Sequence, residues 1–335
     1  MHPTLEELVI GTIRSRGSFQ EAQRRYPVLQ VIALIVVFAV GTATLAGFAQ
    51  PSAIKSMLVL ASFLGIAAGG QTLAILIGGI DLSVPAIIAG ANLMTTALCG
   101  ANWNFALVAA VILGAAALVG ATNGYVAHHY HVPPLIVTLA TGSIVAGAVT
   151  AGTHGSVYGS VPNWLNTFVS PAGTVGGVKI PPIVVFWAAF AVVMAVVLQM
   201  TGMGRHLYAT GSNERAARLA LINTERVWTG TFAASAVCSA ICGIFLAAWS
   251  GTGDPSIGDP YLFLTIAAVI VGGTSLVGAS GDYWRTVLGA LILTVLTTIL
   301  VGHSYSEATQ EILLGLLILI VVGTYGRDRP LRDRV

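Results

Sequence analysis

Apolar residues gather along this chain in long runs separated by short polar breaks, and each run reads as a membrane-crossing helix. The runs cover about residues 28–47, 54–78, 83–99, 105–126, 134–152, 182–200, 227–248, 261–277, 285–302 and 311–325, ten in all. Each is near the roughly 20 residues needed to cross about 30 Å of hydrocarbon. Barrel strands would instead alternate polar and apolar over about ten residues. The pattern therefore predicts an all-α polytopic membrane protein with about ten transmembrane helices. Residues 28–325 form one transmembrane domain, preceded by segment 1–27 and followed by a basic tail, 326–335.

Composition points the same way. Of 335 residues, 56% are hydrophobic and only 8% charged, with a mean hydropathy of +0.86. A soluble domain carries about 25% charged residues. Glycine is abundant, at 39 residues, and small faces let membrane helices approach closely. Cys99, Cys238 and Cys242 fall inside apolar runs and read as packing residues, with neither a disulfide framework nor metal spacing among them. The net charge of +2 is uninformative about partners, and nothing suggests nucleic acid.

The distribution of charge is more telling. With ten spans and both termini on one side, all thirteen arginines fall on that side, whereas Lys55 and Lys179 alone fall on the other. The positive-inside rule then makes both termini cytoplasmic. An odd number of spans would split the terminal arginine clusters. In the first segment, Leu5, Leu8, Val9 and Ile13 recur at helical spacing, which predicts a short interfacial helix. The late, span-length first run does not fit a cleavable signal peptide, so this segment is expected to be retained.

The sharpest break is Gly78-Gly79-Ile80-Asp81-Leu82-Ser83-Val84-Pro85. An aspartate near the centre of a membrane helix costs roughly 2.5 to 3.5 kcal/mol on insertion scales, so a partner or water is required. Two roles stand open for Asp81 and Ser83. They can cap and hinge the third span by accepting backbone N–H groups, or they can line the path of a solute at a discontinuous helix. Asn92, Thr95, Thr96, Asn123, Thr138, Thr141 and Ser143, spaced within apolar runs, are further path candidates. Hydroxyls in such helices also bond back to carbonyls or across to a neighbour.

Two outer segments can meet a soluble partner. In 153–181, Trp164 and Phe168 at i and i+4 predict a short interfacial helix, with Lys179 beyond it. The other, about 249–260, carries Asp254 and Asp259. On the inner side, loop 201–226 contains Gly204 and Arg205, then a turn at Gly211, a cap at Ser212 or Asn213, and a helix of about two turns. Arg215 and Arg218 lie on one side of that helix, Glu214 opens it, and its small apolar residues suit docking. His128, His129 and His131 read as interfacial side chains around Tyr130 and not as a metal site. No catalytic constellation is found, and no Gly-x-x-x-x-Gly-Lys-Ser/Thr phosphate loop is present.

Four stretches together resemble the permease subunits of bacterial ATP-binding-cassette importers of the ribose, arabinose, xylose and galactose type. They are Gly78 to Ser83, Pro133 to Thr141, Gly204 to Leu219, and Val271-Gly272-Gly273-Thr274-Ser275-Leu276. Leu221, Pro85 and the Gly278-Ala279-Ser280-Gly281 stretch depart from the pattern as subfamily variation. The resemblance implies that 28–325 is a permease domain and that loop 201–226 is the ATPase-coupling loop, with Gly204, Arg205, Asn213, Glu214, Arg215 and Arg218 as its contacts. Beside it, the residues' own reading keeps Asp81, Ser83, Asn92, Thr96, Asn123, Thr138 and Thr141 as candidates for the gate and path, and Trp164, Lys179, Asp254 and Asp259 as candidates for contact with a binding protein. The implied partners are an ATPase subunit holding ATP and magnesium, a second permease subunit, identical or not, and a periplasmic or lipoprotein solute-binding protein. This chain itself would bind no cofactor. The solute would be a small sugar or polyol, and the location the bacterial inner membrane. An ion-coupled secondary transporter is the alternative, with Asp81 as the clear intramembrane candidate for an ion site.

Overall fold

The computed structural model describes residues 27–153 and 159–325. The expected N-terminal interfacial helix and the basic tail lie outside them. Thirteen helices form among the described residues: α1 (Val28–Thr44), α2 (Pro51–Leu76), α3 (Val84–Gly100), α4 (Phe105–His129), α5 (Pro134–Thr153), α6 (Asn163–Val169), α7 (Pro182–Met200), α8 (Gly202–Ser212), α9 (Glu214–Leu219), α10 (Thr224–Ser250), α11 (Tyr261–Val271), α12 (Tyr283–Gly302) and α13 (Glu307–Tyr325). A helix stands at each of the ten apolar runs. Six of them, α2, α4, α5, α7, α10 and α12, are long and apolar enough to cross a membrane, and α1, α3 and α11 are shorter apolar helices.

Local chemistry sets the helix ends. Proline opens α2, α5 and α7 at a position that needs no N–H donor. Asn104, Asn223 and Asp282 cap α4, α10 and α12 by accepting N–H groups from their first turns. The eighth run is shorter than its hydropathy predicts. Gly273, at φ +94, turns the chain just after Val271, and residues 272–282 leave the helix altogether.

Burial separates the centre from the rim. The apolar stretch of α2 is 89% buried and that of α10 78%, against 17% for α5 and 22% for α4. Because lipid is as apolar as leucine, close packing and hydrogen bonds drive this assembly more than the hydrophobic effect does. Gly120 and Gly124 on α4 show how: a Cβ at either would run into the α10 backbone at Phe232 or Trp228. Tyr283 of α12, fully buried, donates to the Gly65 carbonyl of α2 at 2.7 Å and accepts from Trp187 of α7 at 3.0 Å.

Inner loop 201–226 differs from its predicted form. It contains two helices, α8 and α9, where one was expected. Gly211 lies inside α8, where its missing side chain lets the backbone touch the Leu76 carbonyl. In the outer segment, α6 forms where Trp164 and Phe168 predicted a short helix.

Candidate functional site

The break between α2 and α3 is built from the end of α2. Gly78, at φ +83, reverses the chain, and the N–H groups of Gly78 and Gly79 return to Ile75 and Ala74 at 2.9 Å each. That places Asp81 in the interior, 1% exposed. Its Oδ1 accepts from the Ser83 backbone N–H at 3.0 Å and the Ser83 hydroxyl at 2.5 Å, and its Oδ2 from Ser235 of α10 at 2.7 Å. Asn123 of α4 donates to the Ser83 hydroxyl at 3.2 Å, and the Leu82 N–H donates to Thr138 of α5 at 3.0 Å. One short segment thus joins α4, α5 and α10.

A second break faces the first. The carbonyl of Leu76, at the end of α2, accepts from the Ala279 N–H at 2.9 Å, and a Cβ on Gly278 would sit 3.0 Å from the Gly78 nitrogen. Tyr208 of α8 donates to the Gly281 carbonyl at 2.7 Å, and burial, followed by the nearby Asp282 charge, pushes its phenol up to about 12. The sequence signals a second break, since Ile77-Gly78-Gly79-Ile80-Asp81-Leu82 is echoed by Val271-Gly272-Gly273-Thr274-Ser275-Leu276, but the residues that meet the first break, Gly278 and Ala279, lie beyond the echo.

Most of the polar residues spaced along the spans face inward. Asn92, Thr96, Asn123 and Thr138 are fully buried, and Ser83 with them; Asn123 and Thr138 tie α4 and α5 to the start of α3, whereas the Thr96 hydroxyl bonds back to the Asn92 carbonyl within α3. Among the path candidates, Thr141 is partly exposed and Ser143 exposed. The Asn92 carbonyl Oδ1 accepts from the Asp254 N–H at 2.9 Å, which draws the 249–260 loop in towards α3. Asp259, together with Ser143, Thr150 and Pro85, lines a 220 Å³ groove between α3, α5 and that loop. Thr150 and the groove had no signal in the periodicity. Trp164 and Lys179 are exposed, the former edge-on to Phe105 at 4.9 Å.

At the far end of the same helices, Asn213 caps α9 by accepting the Ala216 N–H at 3.0 Å. Gly204 is buried against the Leu198 carbonyl, and Arg205 and Arg215 are exposed. Glu214 and Arg218 pair with each other and turn towards the bundle. Glu214 Oε1 lies 3.0 Å from His128 Nε2, and Arg218 Nε donates to the Thr224 hydroxyl at 3.1 Å. Burial works against the Glu214 charge, but the hydrogen bond and charge of Arg218, with His128, outweigh it and hold the carboxyl below its ordinary value. His128, which looked like an interfacial side chain, is therefore part of this cluster. No local pattern could have found its partner, 86 residues away.

Residues 53–322 match the family described as branched-chain amino acid transport system / permease component. The chain is 32% identical over 308 residues to the ribose import permease protein RbsC of Haemophilus influenzae, covering 91% of this chain and 93% of that protein. It is 31% identical over 302 residues to RbsC of Bacillus subtilis, covering 90% and 92%. To the D-allose transport system permease protein AlsC of Escherichia coli it is 30% identical over 302 residues, covering 89% and 90%. No solved structure matches the chain.

Proposed function

The chain belongs to that permease family, and on this premise we propose that it is the membrane subunit of an ATP-binding-cassette importer for a small sugar or polyol. The observation that carries the reading is likeness to ribose and allose permeases over nine-tenths of the chain. The chain has no phosphate loop of its own, so a separate ATPase subunit binds ATP and magnesium and supplies the energy. A second permease subunit completes the path, and a solute-binding protein delivers the sugar from outside.

Ten crossings with both termini cytoplasmic fit the arginine distribution. The four helices outside the six long ones complete the count, α3 beginning at the first glycine break and α11 ending at the second. In that arrangement α8 and α9 lie in the bacterial cytoplasm and dock on the ATPase. Met203, Leu219 and Leu221, at 75%, 86% and 94% exposure, add an apolar surface to Arg205 and Arg215 there. Trp164, Lys179 and Asp259 face the binding protein. The 220 Å³ groove opens onto the solute path.

The satisfied hydrogen bonds of Asp81 weigh against an ion-binding carboxylate and so against a secondary transporter. The test is reconstitution of the chain with its ATPase in liposomes. ATP-driven uptake of ribose or a related sugar, dependent on the loaded binding protein, is expected. Uptake driven by an ion gradient without the ATPase would overturn the reading.

A further inference from the structure

α9 is a helix of six residues with only Ala217 buried, so packing alone gives it little hold on the bundle. Isolated turns of that length are marginal. A side-chain junction holds it instead. His128 Nε2, at the end of α4, is 3.0 Å from Glu214 Oε1, 2.9 Å from the Thr224 hydroxyl and 3.2 Å from Arg218 Nη2. With a proton on Nε2 it donates to Glu214; without one it accepts from Arg218. Either way a single ring nitrogen joins α9 to α4, and Thr224 joins both to the start of α10. The side chain of His128 is only 9% exposed, so water competes weakly for these bonds.

The same two helices hold the hinge. Asn123 lies five residues before His128 on α4, about 7.5 Å along the helix axis, and Ser235 lies eleven residues after Thr224 on α10, about 16 Å along. Asn123 and Ser235 are the residues that grip Ser83 and Asp81. Gly124, between the two junctions, and Gly120, three residues before Asn123, keep α4 against the α10 backbone. A displacement of α9 therefore has a continuous, rigid route to the break between α2 and α3.

We infer that His128 is the positioning residue through which the docking helix α9 moves the α4–α10 pair, and with it the Asp81 hinge. The inference rests on the reading of α9 as the ATPase contact. It assigns Glu214 and Arg218 to the permease side of the joint, whereas Arg215, Leu219 and Leu221 carry the contact with the ATPase.

The test uses the complete importer in proteoliposomes, with permease, ATPase and binding protein present. Three quantities are read: assembled complex, ATP hydrolysis stimulated by loaded binding protein, and sugar taken up per ATP hydrolysed. His128→Leu keeps bulk but neither donates nor accepts. It is expected to assemble and hydrolyse within about twofold of the unmodified complex and to lose about tenfold in uptake per ATP, a typical coupling free energy. His128→Gln, which can both donate to Glu214 and accept from Arg218, restores most of that loss. Glu214→Gln added to His128→Leu produces no further loss, because one joint has already been cut.

Unchanged uptake per ATP in His128→Leu, or a His128→Gln variant equally impaired, overturns the inference. Losses from Glu214→Gln and His128→Leu that simply multiply also overturn it. Should His128→Leu fail to assemble, Thr224→Val is read for the same ratio, with the same loss expected and an unchanged ratio counting against the joint. If the unmodified chain neither binds nor stimulates an ATPase, it is the importer reading that falls.

Discussion

Asp81 and Glu214 are both carboxylates near a helix start, and both are tied to α4 and α10, Asp81 directly to Ser235 and through Ser83 to Asn123, Glu214 to His128 and Thr224. Their surroundings differ in kind. Asp81 is 1% exposed and its side-chain partners are the neutral hydroxyls of Ser83 and Ser235. Glu214 leaves 36% of its side chain in water and is paired with Arg218 and His128. A buried carboxylate with fixed neutral donors holds one arrangement, because every lost bond leaves an unpaired group in a dry interior. A half-exposed ion pair can part and re-form, because water takes over each charge. The first is suited to a hinge that keeps its shape and the second to a joint that transmits a stroke.

Substitution of Asp81 is the hardest test of that contrast. Asp81→Leu leaves the Ser83 N–H and the Ser235 hydroxyl without an acceptor and is expected to cost about 2–4 kcal/mol, seen as a lower melting temperature and poor yield in detergent. A variant that melts like the unmodified protein would place the carboxylate outside the fold's support. Asn123→Leu removes one donor from the same network, with about 1–2 kcal/mol expected on the same melting curve and uptake slowed in the assembled importer. An effect as large as that of Asp81→Leu would mean that the amide, and not the carboxylate, anchors the break.

Glu214→Gln stands at the small end. Its effect on melting should stay below about 1 kcal/mol at neutral pH, since the pair is open to water. The sign of its pH dependence follows from the lowered pKa. The charged form is favoured by folding, so the contribution is fully present above the ordinary value of 4.5 and is lost as pH falls through the lower folded value. Melting measured from pH 6 down to pH 3 should show this acid loss in the unmodified chain and less of it in Glu214→Gln. Identical pH curves for the two would remove Glu214 from the stabilising groups.

Local pattern announced much of this molecule and missed what joins it. The apolar runs, the prolines that open α2, α5 and α7, and the Asn213 cap all act within a few residues, and so they are legible along the chain. Ser83 beside Asp81 is legible too, but Ser235 comes to Asp81 from 154 residues away and Glu214 to His128 from 86, and nothing near either residue names them. Gly211 shows a subtler limit. A glycine that permits a turn and one that permits contact look alike in sequence, and here the contact with Leu76 decided the matter. Repetition was the long-range signal that could be read, in the repeated Gly-Gly at 78–79 and 272–273, each of which opens a break, although the two breaks meet through Leu76 and Ala279.

The meeting of the two breaks bears on how this subunit can move. The Leu76 carbonyl has no helical partner beyond the end of α2, and the Ala279 N–H fills its place. Drawing the two breaks apart would strand both groups in a crowded backbone contact where glycines leave no space for water to enter. The chain therefore carries two kinks with a common seam, so that a shift of one is felt by the other. What looks like a pair of doors is hung on a single frame.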